Sequence, residues 1–487
     1  MGVLLLFNGG FMMISSLVSI LTQDNQTISI FMAAMLTLLV GFVLMLISRN
    51  HTKQLNKREG YLVVSLGWVL MTLSGMLPYL FTGVFQDVSS AFFETMSGYT
   101  TTGSSVLADI EVVPKGVLFW RSTTHWIGGM GIIVLAIAIL PLLGIGGMQL
   151  FTAEAPGPSS DKLHPRITDT AKRLWFIYVG FTLVETLLLW LAGMDFFDAI
   201  NHAMSTVSTG GFSTKNTSVA FWNDQPQVQY IITLFMFIAG MNFVLSYFAL
   251  TGKIKKIFQD EEFRFYSRMI IIAAVFVGLV LWSSVTLGEA GAFEHPQVFG
   301  KIESSFRHAF FQVVAVVTTT GFVTADFTAW TPLLTLLFFG LMFVGGSAGS
   351  TSGGMKGVRH YLMIKSGFLE FNRALHPNAV LQIRYNKSLV QEKVIQNIYG
   401  FFILYMLSFI LGALGFSILG LDFVSSIGVA ASSLGNVGPA LGDFGPSFSF
   451  YAMSPAGKSW ASFLMLIGRL ELFTVLILFT PFFWKKI

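Results

Sequence analysis

The chain contains no cysteine, which excludes disulfides and thiolate metal sites. It is also poor in charge. Only 11% of its 487 residues are Asp, Glu, Lys or Arg, against about 25% in soluble domains. No HExxH or GxSxG pattern is present, and no aspartates pair across facing apolar runs. The nucleophile and base that an intramembrane hydrolase needs are therefore missing. GSTSGGMK from Gly349 imitates a nucleotide-binding loop, but Met355 stands where that loop needs lysine and no strand precedes it. What remains is apolar: 54% of the residues are hydrophobic and the mean hydropathy is +0.70. These figures specify an all-α polytopic membrane protein, which is no enzyme.

A span needs about 20 apolar residues. Such runs are expected near 2–22, 29–48, 61–83, 115–141, 174–193, 228–250, 269–287, 331–355, 394–419 and 457–484. The start, MGVLLLF, lacks the basic region of a cleaved signal, so the first run is expected to be a true span.

Between the later runs lie four short glycine-centred segments: TTTGSSV from Thr100, STGGFST from Ser208, TTTGFVT from Thr318 and GNVGPAL from Gly435. Their central glycines, Gly103, Gly211, Gly321 and Gly438, are 108, 110 and 117 residues apart. Sixteen residues before each glycine stands a residue type favoured as a helix N-cap: Asp87, Asp195, Ser305 and Asp422. Each is expected to start a helix of about 12 residues, roughly 18 Å long, or about half the hydrocarbon thickness. Four pseudo-symmetric repeats of span, half-helix, glycine loop and span follow, with two extra helices before them. We divide the chain into 1–56 (the extra helices), 57–150, 151–260, 261–385 and 386–487 (repeats one to four).

Backbone outside regular helices survives at membrane depth only when buried in protein or lining a wet path. Four half-helix C-termini around one axis favour a cation there, and ring carbonyls replace its hydration shell. The expected lining is Thr101, Thr102 and Gly103; Thr209, Gly210 and Gly211; Thr319, Thr320 and Gly321; and Asn436, Val437 and Gly438. The fourth loop departs from the threonine-rich pattern of the others. Each loop has one well-placed glycine rather than the two of TVGYG, so a shorter filter is expected.

If the loops face one side, 22 of the 29 Lys and Arg lie on the other. The positive-inside rule then places the loops outside and both termini in the cytoplasm. The loop side carries 14 acids against 6 bases, and an acidic face concentrates cations, although lumenal loops are acidic in many proteins.

Two features mark a gate. GGSAGSTSGGMKG, from Gly345 to Gly357, interrupts the span from Thr331. It reads either as a linker or as a loop below the filter, with Gly345, Gly346, Ser347, Ala348 and Gly349 at its start. The equivalent points elsewhere, at Gly128, Gly129, Gly240 and Gly468, are expected to stay within continuous spans. Arg469 lies about 18 Å into the last span by helical rise, where arginine costs about 2.5–3.5 kcal/mol or more. It is expected either to repel the permeating cation or to pair with Glu185 or Glu471. His125 reads as a packing residue rather than a proton relay, and Glu94 as a brace for the filter or a vestibule charge.

The architecture and the loops TTTGSSV, STVSTGGFS, VVTTTGFVT and SSLGNVGPALG resemble the Trk/Ktr/HKT superfamily of potassium transporters. The extra N-terminal spans and LPLLGIGGMQLFTAEAPGP resemble its Trk-type membrane subunits. The resemblance covers essentially the whole chain. It implies potassium uptake across the bacterial inner membrane, with rubidium as surrogate and potassium as substrate rather than cofactor. It implies potassium preference from Gly103, since the family's first loop carries serine where sodium is also carried. It further implies an intramembrane gating loop at Gly345–Gly357 and an arginine near the pore at Arg469. The expected partners are a second copy of the chain, the lipid bilayer and a cytoplasmic nucleotide-binding RCK-type regulatory subunit. No nucleic-acid partner is expected, because positive-inside topology already explains the basic loops. The same class leaves a proton- or sodium-coupled symporter open. Few buried acids are available for a proton relay, Glu185 being the main one.

Overall fold

A computed structural model describes residues 1–48, 57–134, 167–284, 293–379 and 381–485. LPLLGIGGMQLFTAEAPGP and the boundaries expected at 56/57 and 150/151 fall on or beside residues outside that set.

The chain is mainly helical. Two N-terminal helices, Gly2–Thr22 and Thr27–Ser48, form a tight hairpin. Beyond them one unit recurs four times. Long helices span Lys57–Gly75, Ile167–Leu191, Glu261–Ser284 and Glu392–Ile418. Each packs on a half-length helix: Val88–Tyr99, Phe196–Val207, Lys301–Val317 and Phe423–Gly435. A second long element follows and packs on the same half-helix from the other side. These elements begin at Lys115, Pro226, Pro332 and Pro455. The elements from Lys115 and Pro226 also pack on the next unit's half-helix, and the one from Pro455 packs on the first, so the fourth unit returns to the first. One apolar core joins the N-terminal hairpin to the first and fourth units, and another joins the second to the third. Large apolar side chains such as Phe176, Leu188, Leu336 and Ile418 cover the outside, as hydrocarbon requires.

Among the described residues, six helices are long and apolar enough to cross a membrane, or up to eight if each bent pair is one span. Ten runs were expected. The helix from Lys115 is described only to Val134. The run from Thr331 is helical only over Pro332–Leu341 before the glycine-rich segment interrupts it.

The structure corrects two other expectations. The spans through Gly240 and Gly468 are not continuous. Pro226–Ala239 turns by 109° into Phe243–Leu250, and Pro455–Arg469 turns by 112° into Phe473–Phe479. At the first break the Asn242 side chain accepts from Val244 N and starts a new helix. At the second, Glu471 and Leu472 both adopt positive φ, 57° and 46°. Among the described residues, the helix through Gly128 and Gly129 continues unbroken to Val134.

The second correction concerns Ser305. Asp87, Asp195 and Asp422 accept from Ser90 N, Phe197 N, and Val424 N with Ser425 N respectively. Their helices are 12, 12 and 13 residues long. Ser305 instead lies inside a 17-residue helix that starts after Gly300, which has φ 93°. Lys301–Glu303 extend the helix outward. Glu303 suits its positive end and pairs with Arg307 one turn on, at 2.8 Å. The Ser305 hydroxyl is buried without a partner.

Candidate functional site

All four half-helices end in the same way. The residue two before the central glycine takes the left-handed conformation: Thr101 φ 51°, Thr209 φ 55°, Thr319 φ 56° and Asn436 φ 52°. The glycine itself is again at positive φ: 86°, 80°, 72° and 104°. The residue between them reaches back five positions. Thr102 N donates to Ser97 O (2.9 Å), Gly210 N to Ser205 O (2.8 Å), Thr320 N to Ala315 O (2.8 Å) and Val437 N to Ser432 O (3.0 Å). These are Schellman terminations, but with threonine or asparagine where glycine is usual. Left-handed backbone costs a β-branched residue roughly 1–2 kcal/mol, and asparagine least among side-chain-bearing residues. Asn436, the odd residue by sequence, is therefore the one best suited to its backbone.

The loops meet in a ring. A Cβ on Gly103 would collide with the Gly210 carbonyl oxygen, one on Gly211 with that of Thr320, and one on Gly321 with that of Val437. One on Gly438 would come within 2.8 Å of the Thr102 oxygen. Each central glycine thus lies against the carbonyl that precedes the next loop's glycine, and the fourth closes on the first. Positive φ and lack of space both demand glycine there.

The seams of the ring differ. Between the fourth and first loops, Asn436 Nδ2 donates to Thr102 Oγ1 (3.0 Å) and Ser104 Oγ to Gly438 O (2.9 Å). Ser432 Oγ also donates to Gly438 O (2.9 Å). Between the second and third, Ala220 N donates to Val323 O (2.9 Å) and Asn223 Nδ2 to Thr324 O (3.1 Å). Nine residues before the glycine, the half-helices carry Glu94, His202, Gln312 and Val429. The first three bond the descending limb of their own loop, at Ser105 and Val106, Ser213, and Thr324. Glu94 is thus a buried brace and not a vestibule charge. His125 stacks on Phe212 with ring centres 3.9 Å apart, a packing role.

Beyond the limbs, Asn216 Nδ2 donates to Asp109 Oδ1 (2.8 Å) and Asn216 Oδ1 accepts from Ile110 N (2.7 Å). The bond from Asn216 holds the exposed Asp109 carboxyl below the usual carboxylate range. Its negative charge therefore persists to lower pH than that of a free aspartate.

Beneath the ring lies the glycine-rich segment. It is not a linker: Ser347, Ala348, Ser350, Thr351 and Ser352 are all buried. Thr351 Oγ1 donates to Val207 O (3.0 Å), the last carbonyl of the second half-helix. Gly353 N donates to Thr319 Oγ1 (2.6 Å), in the third loop. Ser347 N donates to Gly240 O (2.8 Å), at the break in the second unit's inner element. Both ends of the segment are tied to one carboxylate, since Glu262 Oε1 accepts from Ala348 N (2.7 Å) and Val358 N (3.1 Å).

Arg469 belongs to the same assembly. Its Nη1 donates to Thr351 O (2.7 Å), while its Nε and Nη2 have no hydrogen-bond partner. Glu471 is bonded to Arg359 (2.6 Å), and among the described residues no ion pair joins Arg469 to Glu185. The arginine is therefore hydrogen-bonded to a backbone carbonyl of the glycine-rich segment rather than to either expected acid.

All twelve expected loop residues lie in or beside the ring, and the five glycine-rich residues and Arg469 lie in the assembly below it. Ser305 does not cap. Sequence reasoning missed Thr351, Glu262 and Arg121. Thr351 sits six residues past the start of the segment that drew attention. Glu262 and Arg121 look like ordinary charges near span ends, and only the fold shows them buried, at 2% exposure each.

The chain matches the TrkH cation transport protein family over residues 26–486. It belongs to that family. The family is one of transporters, not enzymes. The chain is 40% identical over 488 residues to the Trk system potassium uptake protein TrkH of Escherichia coli K12, covering 100% of this chain and 98% of that one. It is 35% identical over 437 residues to the Trk system potassium uptake protein TrkG of the same organism, covering 89% and 87%. The crystal structure of the potassium transporter TrkH from Vibrio parahaemolyticus superposes with a TM-score of 0.88 at 36% identity, covering 99% of this chain and 98% of that one.

Proposed function

We propose that this chain takes potassium into the bacterial cell across the inner membrane, through the ring of four loops, as a gated channel. Potassium is the cargo. The ring faces outward, both termini are cytoplasmic, and the intramembrane segment with Arg469 forms the barrier below. The relatives' names supply the ion. The observation that carries the mechanism is the closed ring, in which four equivalent glycines at positive φ each abut the next loop's carbonyl. Positive φ at every second residue of each loop turns carbonyls toward one side, where they replace water around a dehydrated cation. The half-helix C-termini add their negative ends.

Arg469 sets a positive charge beside the buried segment, and a buried arginine with two unpartnered nitrogens would repel a passing cation. A channel reading is favoured over proton-coupled symport because the expected lining of the ring is backbone carbonyls and hydroxyls, while the nearby carboxylates of Glu94 and Glu262 are engaged by backbone N–H groups. The chain works as a homodimer on a cytoplasmic nucleotide-binding RCK-type subunit, which would move the helix Gly357–Leu375 and so the segment it continues.

Rubidium flux into liposomes tests the ring. Gly211→Ala should abolish most of it, because the new Cβ collides with Thr320 O at positive φ. Gly340→Ala should leave it unchanged, because nothing lies within 4 Å of a Cβ there. Equal flux in both variants would overturn the ring as the conducting path.

A further inference from the structure

The seam between the first and second loops is held by a charged strut. Glu94 lies on the first half-helix, fully buried. Its Oε2 accepts from Val106 N (2.8 Å) and its Oε1 from Ser105 Oγ (2.9 Å), both on the descending limb of the first loop. Its Oε1 also accepts from Arg121 Nε (2.7 Å). Arg121 belongs to the helix that follows that loop, yet its Nη1 donates to Ser213 O (2.8 Å) in the second loop. Its guanidinium carbon lies 3.5 Å from the Phe212 ring centre, next to Gly211. His125, one turn further along the same helix, stacks on the same ring. Two buried charges thus connect the first half-helix, the first loop and the second loop.

We propose that Glu94 and Arg121 are a positioning pair that sets the ion selectivity of the ring by fixing the spacing between its first two loops. The inference rests on the reading of the ring as a potassium filter. Neither residue touches the ion. Sodium is smaller than potassium, so a carbonyl ring rejects it only if the loops are kept from closing inward. At the fourth-to-first seam, Asn436 and Ser104 bond directly across. At the second-to-third seam, Ala220 and Asn223 do. At the first-to-second seam, Asn216 ties the outer turns at Asp109 and Ile110, and the Arg121 fork is the tie that reaches the limb beside Gly211. The planar guanidinium can hold the Glu94 carboxylate and the Ser213 carbonyl at once, and an ammonium cannot reproduce that geometry. A buried ion pair is weak evidence for stability, and in some proteins such pairs instead specify geometry. The same register in the fourth unit carries Val429, so a charge there is not a general requirement of the half-helix.

The full-length protein in liposomes tests this through the ratio of rubidium to sodium flux, read beside the thermal melting of the same preparation. Arg121→Lys keeps the charge and loses the fork. It should lower the ratio about tenfold, the scale on which one charge-assisted hydrogen bond acts. Glu94→Gln should lower it similarly, and it reads the same seam if Arg121→Lys does not fold. Arg373→Lys is the control. Arg373 pairs with Glu370 on its own helix rather than with a loop of the ring, so its substitution should leave the ratio unchanged. A lowered melting temperature with an unchanged ratio in Arg121→Lys and Glu94→Gln would overturn the proposal and make the pair structural. Absence of rubidium preference in the unsubstituted protein would instead overturn the filter reading beneath it.

Discussion

Threonine in left-handed backbone is the residue-scale signature of this protein. Three threonines and one asparagine adopt it, each two positions before a glycine that also has positive φ. The glycines were legible in the sequence because their spacing repeats. The left-handed threonines were not, because threonine ordinarily avoids that region and only the fixed half-helix and the packed ring hold it there. Strain of this kind persists where surrounding structure over-determines the backbone, commonly at functional sites. Arg469 was legible as a misplaced charge, but its partner was not. Both expected partners were acids, and the observed one is the Thr351 carbonyl, since a backbone group leaves no trace in residue type. A unit charge 4 Å from another is worth about 4 kcal/mol at an effective dielectric of 20. If a third of that opposes the permeating ion, Arg469→Ala should raise rubidium flux roughly tenfold. Unchanged flux in a variant that still folds would remove Arg469 from the barrier.

At the scale of elements, half-helix length depends on where the first turn is satisfied. Asp87, Asp195 and Asp422 satisfy it with their carboxylates, whereas the third half-helix begins earlier, at Lys301. The sequence rule of a cap at a fixed offset worked for three units because a carboxylate in that register meets an exposed turn. It failed for Ser305 because Lys301–Glu303 are as compatible with helix as with loop. Asp422→Ala should destabilise by about 1 kcal/mol, while Ser305→Ala should stay within about 0.5 kcal/mol, compared by thermal unfolding of the detergent-solubilised protein. Equal losses would contradict this assignment of caps. The bends after Gly240 and Arg469 were invisible for a different reason. The residues that follow them, Phe243–Leu250 and Phe473–Phe479, are as apolar as a continuing span. Hydropathy reports the solvent of a segment and not its direction. The Gly345–Gly357 break was legible because six glycines in thirteen residues cannot sustain a helix. Its burial was not, because the bonds that order it come from Glu262, Val207, Gly240 and Thr319, all far away in sequence.

For the whole molecule, four-fold recurrence closes one ring of loops inside a single chain, and the four units that build it are unequal. The first-to-second seam is held by a buried ion pair, and the fourth-to-first by Asn436 and Ser104. Among the described residues, the third unit alone places a buried glycine-rich segment under the ring, and the fourth brings Arg469 to meet it. A homotetramer could not build such an asymmetric assembly, because every element would appear four times. The central claim is that the ring of backbone carbonyls prefers potassium-sized ions. Parallel rubidium and sodium uptake into liposomes holding the unsubstituted protein and Gly103→Ser tests it most directly. The account predicts strong rubidium preference in the first and a reduced preference in the second. Equal rubidium and sodium uptake by the unsubstituted protein would contradict it.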